Sequence, residues 1–199
     1  MTNDLTKTLS DLTTWLRHEH VSFALIGGLA VGMRGEPRFT ADVDVVVGLE
    51  LDDALQLVER LPASPFQPLF PDVSEVVRTS FILPLRHLAT GVRVDVAIGL
   101  SGFERQLLAR ADEVSLAGFT VPVATSEDLI LMKLLASRPR DTDDAEKLAQ
   151  KQGLNLDWIY LITTARQLDE ALALDVTTPL QQLRDHHAPQ SRDSNDESA

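Results

Sequence analysis

The segment FTADVDVVVG, residues 39–48, restricts the fold more than any other, because Asp42 and Asp44 alternate with valines at the head of an apolar run. Alternate residues of a β-strand project from the same face, so a strand here places two carboxylates side by side. Like charges that close are unfavourable unless one is protonated or a cation lies between them. A site for Mg²⁺ with substrate phosphates is one interpretation. The other is that both aspartates cap a turn at the start of the strand.

A third aspartate, Asp95, lies within the apolar run GVRVDVAIG, residues 91–99. Aspartate is depleted in strands, and a carboxylate there needs a partner. Because Val94 and Val96 face the other side of such a strand, Asp95 shares its face with Arg93. The residues alone leave a plain ion pair between Arg93 and Asp95 open as the alternative to a metal ligand.

A pair of glycines, Gly27 and Gly28, follows the apolar run VSFALI and precedes the short helical segment LAVGMRG. Small residues let backbone N–H groups approach a phosphate, and a helix N-terminus favours negative charge. The same pair would also serve a simple turn. It belongs neither to a Walker A loop, since no lysine follows at the required spacing, nor to a G-x-G-x-x-G motif.

Hydrophobic periodicity predicts an α/β first half and a helical second half. Strands are predicted at 21–27, 43–48, 75–88 and 91–98, and the last two form a hairpin that turns near Thr90 and Gly91. A second hairpin is predicted to turn at Ala117 and Gly118. The predicted helices cover 3–18, 51–61, a segment capped by Ser126, and about 141–151, 155–165 and 167–173. We therefore expect a mixed sheet packed by helices in residues 1–124, a helical region at 125–184 and a disordered tail at 185–199.

The composition excludes several classes of protein. With no cysteine among 199 residues, the chain has no disulfide scaffold, thiolate zinc site or cysteine nucleophile. The formal net charge of -12 argues against long-range attraction to nucleic acid or anionic membranes, although a local basic cleft remains compatible with it. The N-terminus lacks the features of a secretory signal, and no segment approaches the roughly 20 apolar residues that cross a bilayer. We expect a soluble, cytoplasmic protein.

Three features occur in a specific order along the chain. They are a strand followed by two glycines, the D-x-D strand, and a strand aspartate about fifty residues later. This combination resembles the polymerase-beta-type nucleotidyltransferase superfamily. The run IGGLAVGMRGEPRFTADVDVVVG most resembles the AbiEii-like branch, which includes toxins of toxin-antitoxin and abortive-infection systems. The resemblance covers roughly residues 20–150 and implies an α/β (α+β) nucleotidyltransferase fold.

The resemblance also implies roles for individual residues. Asp42, Asp44 and Asp95 would be the catalytic and metal-binding carboxylates, holding two Mg²⁺ ions, and Asp95 would accept the proton of the attacking group. Contacts to the NTP would come from Gly27, Gly28, Lys133 and Arg140. Arg38 and Thr40 would either contact the phosphates or orient the D-x-D strand. In MKLLASRPRDTDDAEKL, Asp141 and Asp144 would close the far wall of a cleft completed by the helical region.

The implied activity is transfer of a nucleoside monophosphate from an NTP to an acceptor. The acceptor is a tRNA 3′ end, a protein hydroxyl or a small molecule such as an aminoglycoside, and the sequence does not choose among them. In the first two cases we expect a toxin neutralised by a cognate antitoxin protein. The alternative function is a catalytically inactive module on the same fold that senses nucleotide or binds another protein.

Overall fold

The computed structural model describes residues 3–35, 37 and 39–188. By their internal contacts, the residues divide into two compact units, with the boundary between Leu129 and Ile130. This boundary lies inside a helix, Ser126–Ala136. The first unit is built on a β-sheet and the second is helical.

The first unit contains a mixed sheet of seven strands within the described residues. The strand order is β3-β4-β5-β2-β1-β7-β6. Strand β2 pairs in parallel with β5, and β1 in parallel with β7, whereas the remaining neighbours are antiparallel. The predicted mixed sheet is therefore confirmed. The strands are β1 Phe23–Ile26, β2 Asp42–Val47, β3 Phe66–Pro68, β4 Ile82–His87, β5 Arg93–Ile98, β6 Asp112–Leu116 and β7 Phe119–Val123.

Five α-helices accompany this sheet in the described part of the first unit. The first one buries a leucine stripe that includes Leu5, Leu9, Leu12 and Leu16, as its sequence periodicity predicts. The four prolines of residues 62–71 predict a loop, but a short 3-10 turn, Leu61–Ala63, and the edge strand β3 occupy part of this segment. The helices are α1 Asn3–His18, α2 Gly27–Arg34, α3 Leu51–Glu59, α4 Val73–Ser80 and α5 Gly102–Arg110.

The two central strands are strictly two-faced. Val43 and Val45 of β2 and Val94 and Val96 of β5 are fully buried, while the aspartates between them are only half-buried on the opposite face. Burying such a side chain stabilises the fold by roughly 1.5–3 kcal/mol. A slip of one residue would exchange the two faces and place carboxylates in the core. The valines thus fix the register that presents the aspartates.

The prediction of a strand at residues 75–88 is wrong for its first part. Residues Val73–Ser80 form helix α4, and strand β4 begins only at Ile82. The β-branched residues suggested a strand, but Val73 and Val77 are four residues apart and bury one helical face. Phe81 ends the helix in a left-handed conformation. The hairpin of β4 and β5 is present, and it turns with Gly91 at a φ of +73°.

The second half is helical, as predicted, with different boundaries. Residues 155–165 and 167–173, predicted as two helices, form the single helix α8, because no residue between them interrupts the backbone pattern. Helix α6 is capped by Thr125 and not by Ser126, since the Thr125 hydroxyl accepts a hydrogen bond from the Asp128 N–H. The helices are α6 Ser126–Ala136, α7 Pro139–Gln152, α8 Trp158–Leu172 and α9 Thr177–His187.

Helix α9 was not predicted, and its last turn enters the segment predicted to be disordered from residue 185. Leu180 and Leu183 are buried, and the Asp169 carboxylate accepts hydrogen bonds from the backbone N–H groups of Val176 and Thr177 at its start. Because this cap comes from the preceding helix, the sequence at the start of α9 does not predict it. The predicted tail beyond residue 188 lies outside the described residues. None of the helices in the described ranges is both long enough and apolar enough to cross a membrane.

Candidate active site

The register of β2 and β5 brings two of the predicted catalytic carboxylates into one row. Asp44 is the partner of Asp95, and Asp42 is the partner of Arg93. Because neighbouring residues in register project from the same side of a sheet, all three aspartates and Arg93 share one face. The sequence predicted these carboxylates on strands, and the pairing of the strands now places them together.

Thr40 orients the first of these aspartates. Its hydroxyl donates a hydrogen bond to Asp42 Oδ1 over 2.8 Å. The bond fixes the carboxylate at the end of the strand, where the chain enters β2. Thr40 therefore contacts a carboxylate of this face, and its role toward an NTP stays a prediction.

Arg93 holds Asp95 through one hydrogen bond and a second close ion-pair contact. Its Nε donates to Asp95 Oδ1 over 2.9 Å, and its Nη2 lies 2.9 Å from Oδ2. The hydrogen bond and charge of Asp95, followed by the charges of Asp42 and Asp44, raise the pKa of Arg93 above its usual value. The ion pair considered from the sequence is therefore formed. Arg93 therefore lies against one carboxylate of the face and is also influenced by the charges of the other two.

Gly27 allows the start of helix α2 to approach Asp44 closely. A Cβ at Gly27 would lie 2.0 Å from Asp44 Oδ2, and the residue has a φ of +64°. Both conditions exclude a larger side chain. Gly28 is buried in the first turn, and the N-cap residue Ile26 supplies no side-chain cap. The amide end of α2 and the Asp44 carboxylate are thus neighbours.

The donor set suits a hard divalent cation, because it consists of carboxylate oxygens on one face and retains negative charge. In the described ranges, no group of three or more histidine, cysteine, aspartate or glutamate residues is already gathered in a metal-binding arrangement. Asp95 is aligned with Arg93, and Asp44 lies against Gly27. A cation at this face therefore competes with Arg93 for the oxygens of Asp95.

The described residues do not assign the remaining predicted NTP contacts to this face. Arg38 lies outside the described residues. Lys133 belongs to the second unit, where its Nζ lies 2.8 Å from Asp141 Oδ1 and 3.0 Å from Asp144 Oδ2. Arg140 is exposed on α7 and has no hydrogen bond or ion pair to another described residue. Their roles toward an NTP stay predictions.

The exposed Arg138 contacts one carboxylate of the buried cluster around Lys133. Its Nε lies 3.0 Å from Asp141 Oδ2, but this oxygen lacks a partner with hydrogen-bond geometry among the described residues. We regard the contact as an electrostatic one, since the two charges are close without being aligned. The sequence suggested a lysine available for phosphate, whereas the structure pairs it with two buried carboxylates.

One charged residue of the exposed face was missed by sequence reasoning. Arg86 of β4 is the register partner of Arg93, so it joins the row that contains Asp42. No local motif marks Arg86, because its proximity to the aspartates depends on the pairing of β4 with β5. Only the spacing of the apolar residues Leu83 and Leu85, which face the other side of β4 and are buried, could have indicated its face.

Residues 10–196 match the family model described as "Nucleotidyl transferase AbiEii toxin, Type IV TA system". No curated protein matches the chain.

Several solved structures share the fold. An antigenic nucleotidyltransferase-like protein from Paracoccidioides brasiliensis has a TM-score of 0.51 at 19% identity, covering 90% of this chain and 93% of that chain. The antibiotic-resistance factor ANT(2'')-Ia has a TM-score of 0.53 at 12% identity, covering 94% and 92%. The lincosamide antibiotic adenylyltransferase LnuA, bound to lincomycin, has a TM-score of 0.50 at 15% identity, covering 74% and 96%. At these identities the likeness establishes the fold.

Proposed function

The chain belongs to the AbiEii nucleotidyltransferase family, and we propose that it transfers a nucleoside monophosphate from an NTP to an acceptor hydroxyl with the help of Mg²⁺. Membership in the family confirms the resemblance found in the sequence and the class of enzyme. The observation that supports the proposed chemistry is the row formed by Asp44 and Asp95 on neighbouring parallel strands, with Asp42 one pair away.

The three aspartates are proposed to hold two Mg²⁺ ions. When bound, the ions would activate the attacking oxygen and neutralise the leaving pyrophosphate. Thr40 keeps Asp42 in place, and Gly27 leaves room for Asp44. Asp95 has the additional role of accepting the acceptor's proton, because it is the carboxylate at the far side of the row from α2. To do so it must free one oxygen from Arg93.

The donor is proposed to bind on the side of β1 and α2. The backbone N–H groups at Gly27 and Gly28 begin a helix, and a helix N-terminus attracts phosphate oxygens. Lys133, Arg38 and Arg140 are proposed to supply further positive charge to the triphosphate. The acceptor oxygen attacks the α-phosphorus, a new P–O bond forms, and pyrophosphate leaves with the electron pair of the broken bond.

The identity of the acceptor is part of the proposal. A tRNA 3′ end, a protein hydroxyl and a small molecule all offer the hydroxyl that the reaction needs. A macromolecular acceptor in the cytoplasm would make the enzyme a toxin, and a cognate antitoxin protein would then be its partner, consistent with the family description.

One observation favours a second candidate function, a catalytically inactive module that binds nucleotide or protein. The hydrogen bond and the ion pair from Arg93 engage both oxygens of Asp95 without a metal ion. In such a module the Arg93–Asp95 pair would be permanent. Metal-dependent binding of nucleotide separates the two functions.

The test is incubation with each NTP labelled at the α-phosphate, together with Mg²⁺, tRNA, cell protein and tobramycin. The wild type is compared with Asp42→Asn/Asp44→Asn. The control is Asp52→Asn/Asp53→Asn, which removes the same charge from exposed positions of α3. Label transferred by the wild type and the control, but not by the site variant, supports the enzyme. Absence of both transfer and Mg²⁺-dependent NTP binding in a folded wild type overturns it.

A further inference from the structure

A polar row crosses four strands of the sheet from the catalytic aspartates to the edge. The registers join Asp42 of β2 to Arg93 of β5, Arg93 to Arg86 of β4, and Arg86 to Gln67 of β3. Neighbouring strands lie about 4.8 Å apart, so each side chain is beside the next. Arg93, Arg86 and Gln67 are all exposed. The row therefore forms a surface that leads away from the aspartates.

Arg86 and Arg93 are like charges directly opposite each other, an arrangement that destabilises a sheet. Arg93 is balanced by Asp95. Arg86 has no ion pair among the described residues, and its Nη1 donates to the backbone oxygen of Gly91 over 3.0 Å. An anionic ligand beside Arg86 would offset the repulsion between Arg86 and Arg93.

The position of the row relative to the donor indicates which substrate carries that anion. The proposed donor site lies on the β1 side of β2, at Gly27 and Gly28, whereas Arg93 and Arg86 lie on the β5 side. In an in-line displacement, the attacking and leaving oxygens are on opposite sides of the phosphorus. The acceptor must therefore approach from the side of β5 and β4, past Arg93 and Arg86.

We propose that Arg86 is a substrate-contacting residue on the acceptor side and that it binds a phosphate group of the acceptor. The planar guanidinium matches phosphate oxygens and keeps its charge at every accessible pH. Because Arg93 is paired with Asp95 and Arg86 is not paired with a described carboxylate, Arg86 disfavours an ammonium group of an aminoglycoside-type acceptor at its own position. This inference rests on the proposed function, since it assigns one side of that site to the acceptor. It narrows the acceptor to a phosphate-bearing molecule, either the end of a nucleic acid or a small phosphorylated compound.

The test measures binding, so that its failure is distinct from failure of the transfer reaction. Fluorescence anisotropy follows a labelled six-nucleotide oligoadenylate RNA on the wild type, Arg86→Gln and Arg86→Lys, at several salt concentrations. The matched control is Arg105→Gln. Arg105 is an exposed arginine on α5 of the same unit, and its Nη1 also donates to a backbone oxygen, that of Leu100. Mg-NTP binding is measured in parallel and reports on the donor site alone.

We expect Arg86→Gln to weaken oligoadenylate binding about tenfold and to reduce the slope of log affinity against log salt by about 1, whereas Arg105→Gln changes neither. Arg86→Lys should retain part of the affinity, and Mg-NTP binding should be unchanged in all three variants. Adenosine 3′,5′-bisphosphate is then compared with unlabelled oligoadenylate, at matched phosphate concentration, as a competitor of the labelled RNA. Equal displacement of the labelled RNA would identify a small phosphorylated acceptor. Much weaker displacement by the bisphosphate would identify the end of a nucleic acid chain. The inference is overturned if the wild type binds neither probe, if tobramycin binds more tightly than both, or if Arg86→Gln behaves as Arg105→Gln.

Discussion

Asp44 and Asp95 are partners in register on the parallel strands β2 and β5, and their carboxylates project from one face of the sheet. Two carboxylates placed this close repel each other when both are ionised, and Arg93 lies against one of them.

Asp44→Asn should abolish the response to metal, because it removes the charge of one proposed ligand. The rise in melting temperature produced by Mg²⁺ and NTP in the wild type should disappear. Differential scanning fluorimetry with and without Mg²⁺ measures this effect. A metal response equal to that of the wild type would contradict a ligand role for Asp44.

Gly27→Ala should abolish activity, since the new Cβ would lie 2.0 Å from Asp44 Oδ2. Gly118→Ala is the matched control, because Gly118 also has a positive φ, +91°, but has no atom near its Cβ position. Both variants should lose about 1 kcal/mol of unfolding free energy to backbone strain. Only Gly27→Ala should also lose NTP transfer. Equal activities of the two variants would show that contact with Asp44 is unimportant.

Thr40→Val should weaken metal binding, because it removes the hydroxyl that donates to Asp42 Oδ1 while keeping the shape of the side chain. Loss of such a supporting hydrogen bond typically lowers metal affinity or activity by about 10–100-fold. Thr40→Ser should retain most of the metal affinity, because it keeps the hydroxyl. Isothermal titration with Mn²⁺ measures the affinity independently of turnover. Unchanged Mn²⁺ affinity in Thr40→Val would assign the hydroxyl a purely local role.

Lys133→Met should destabilise the protein by about 3–5 kcal/mol, because it leaves the buried carboxylates of Asp141 and Asp144 without their main cation. Lys147→Met is the control, since Lys147 forms an exposed helical pair with Asp143 and should contribute less than about 0.5 kcal/mol. Urea unfolding compares the two. If Lys133→Met loses NTP binding at full stability, Lys133 acts on the phosphates and not on the fold.

Asp169→Ala should lower stability in a pH-dependent way. Burial acts to raise the pKa of Asp169, but hydrogen bonds donated by Val176 and Thr177 hold it below its ordinary value of 3.8. A lowered pKa contributes stability above the unfolded value, and that contribution is lost as the pH falls through the folded value. We expect a cost of about 1–2 kcal/mol at pH 7 that shrinks below pH 4. Urea unfolding at pH 7 and pH 3 measures the difference in unfolding free energy between the wild type and Asp169→Ala. A difference that does not change with pH would exclude the charged cap.

Much of the site could be predicted because alternation along a strand is a local property. The valines of β2 and β5 predict buried strands, and the aspartates between them must then occupy the other face. The helix α4 was missed because β-branched residues occur in both kinds of element, and only burial of Val73 and Val77 distinguished them. The start of α9 depends on Asp169 of another helix, which no local pattern reveals.

By itself, the sequence determined that Asp42 and Asp44 share a face, that Gly27 and Gly28 begin a helix, and that Asp95 lies on a strand with Arg93. The tertiary structure alone decided that Asp44 and Asp95 are neighbours, that Gly27 must be small, and that Arg86 joins the row of Asp42. The physical reason is that residues close in the chain are related by backbone geometry. Residues far apart in the chain are related only by the register that packing of the valine core selects.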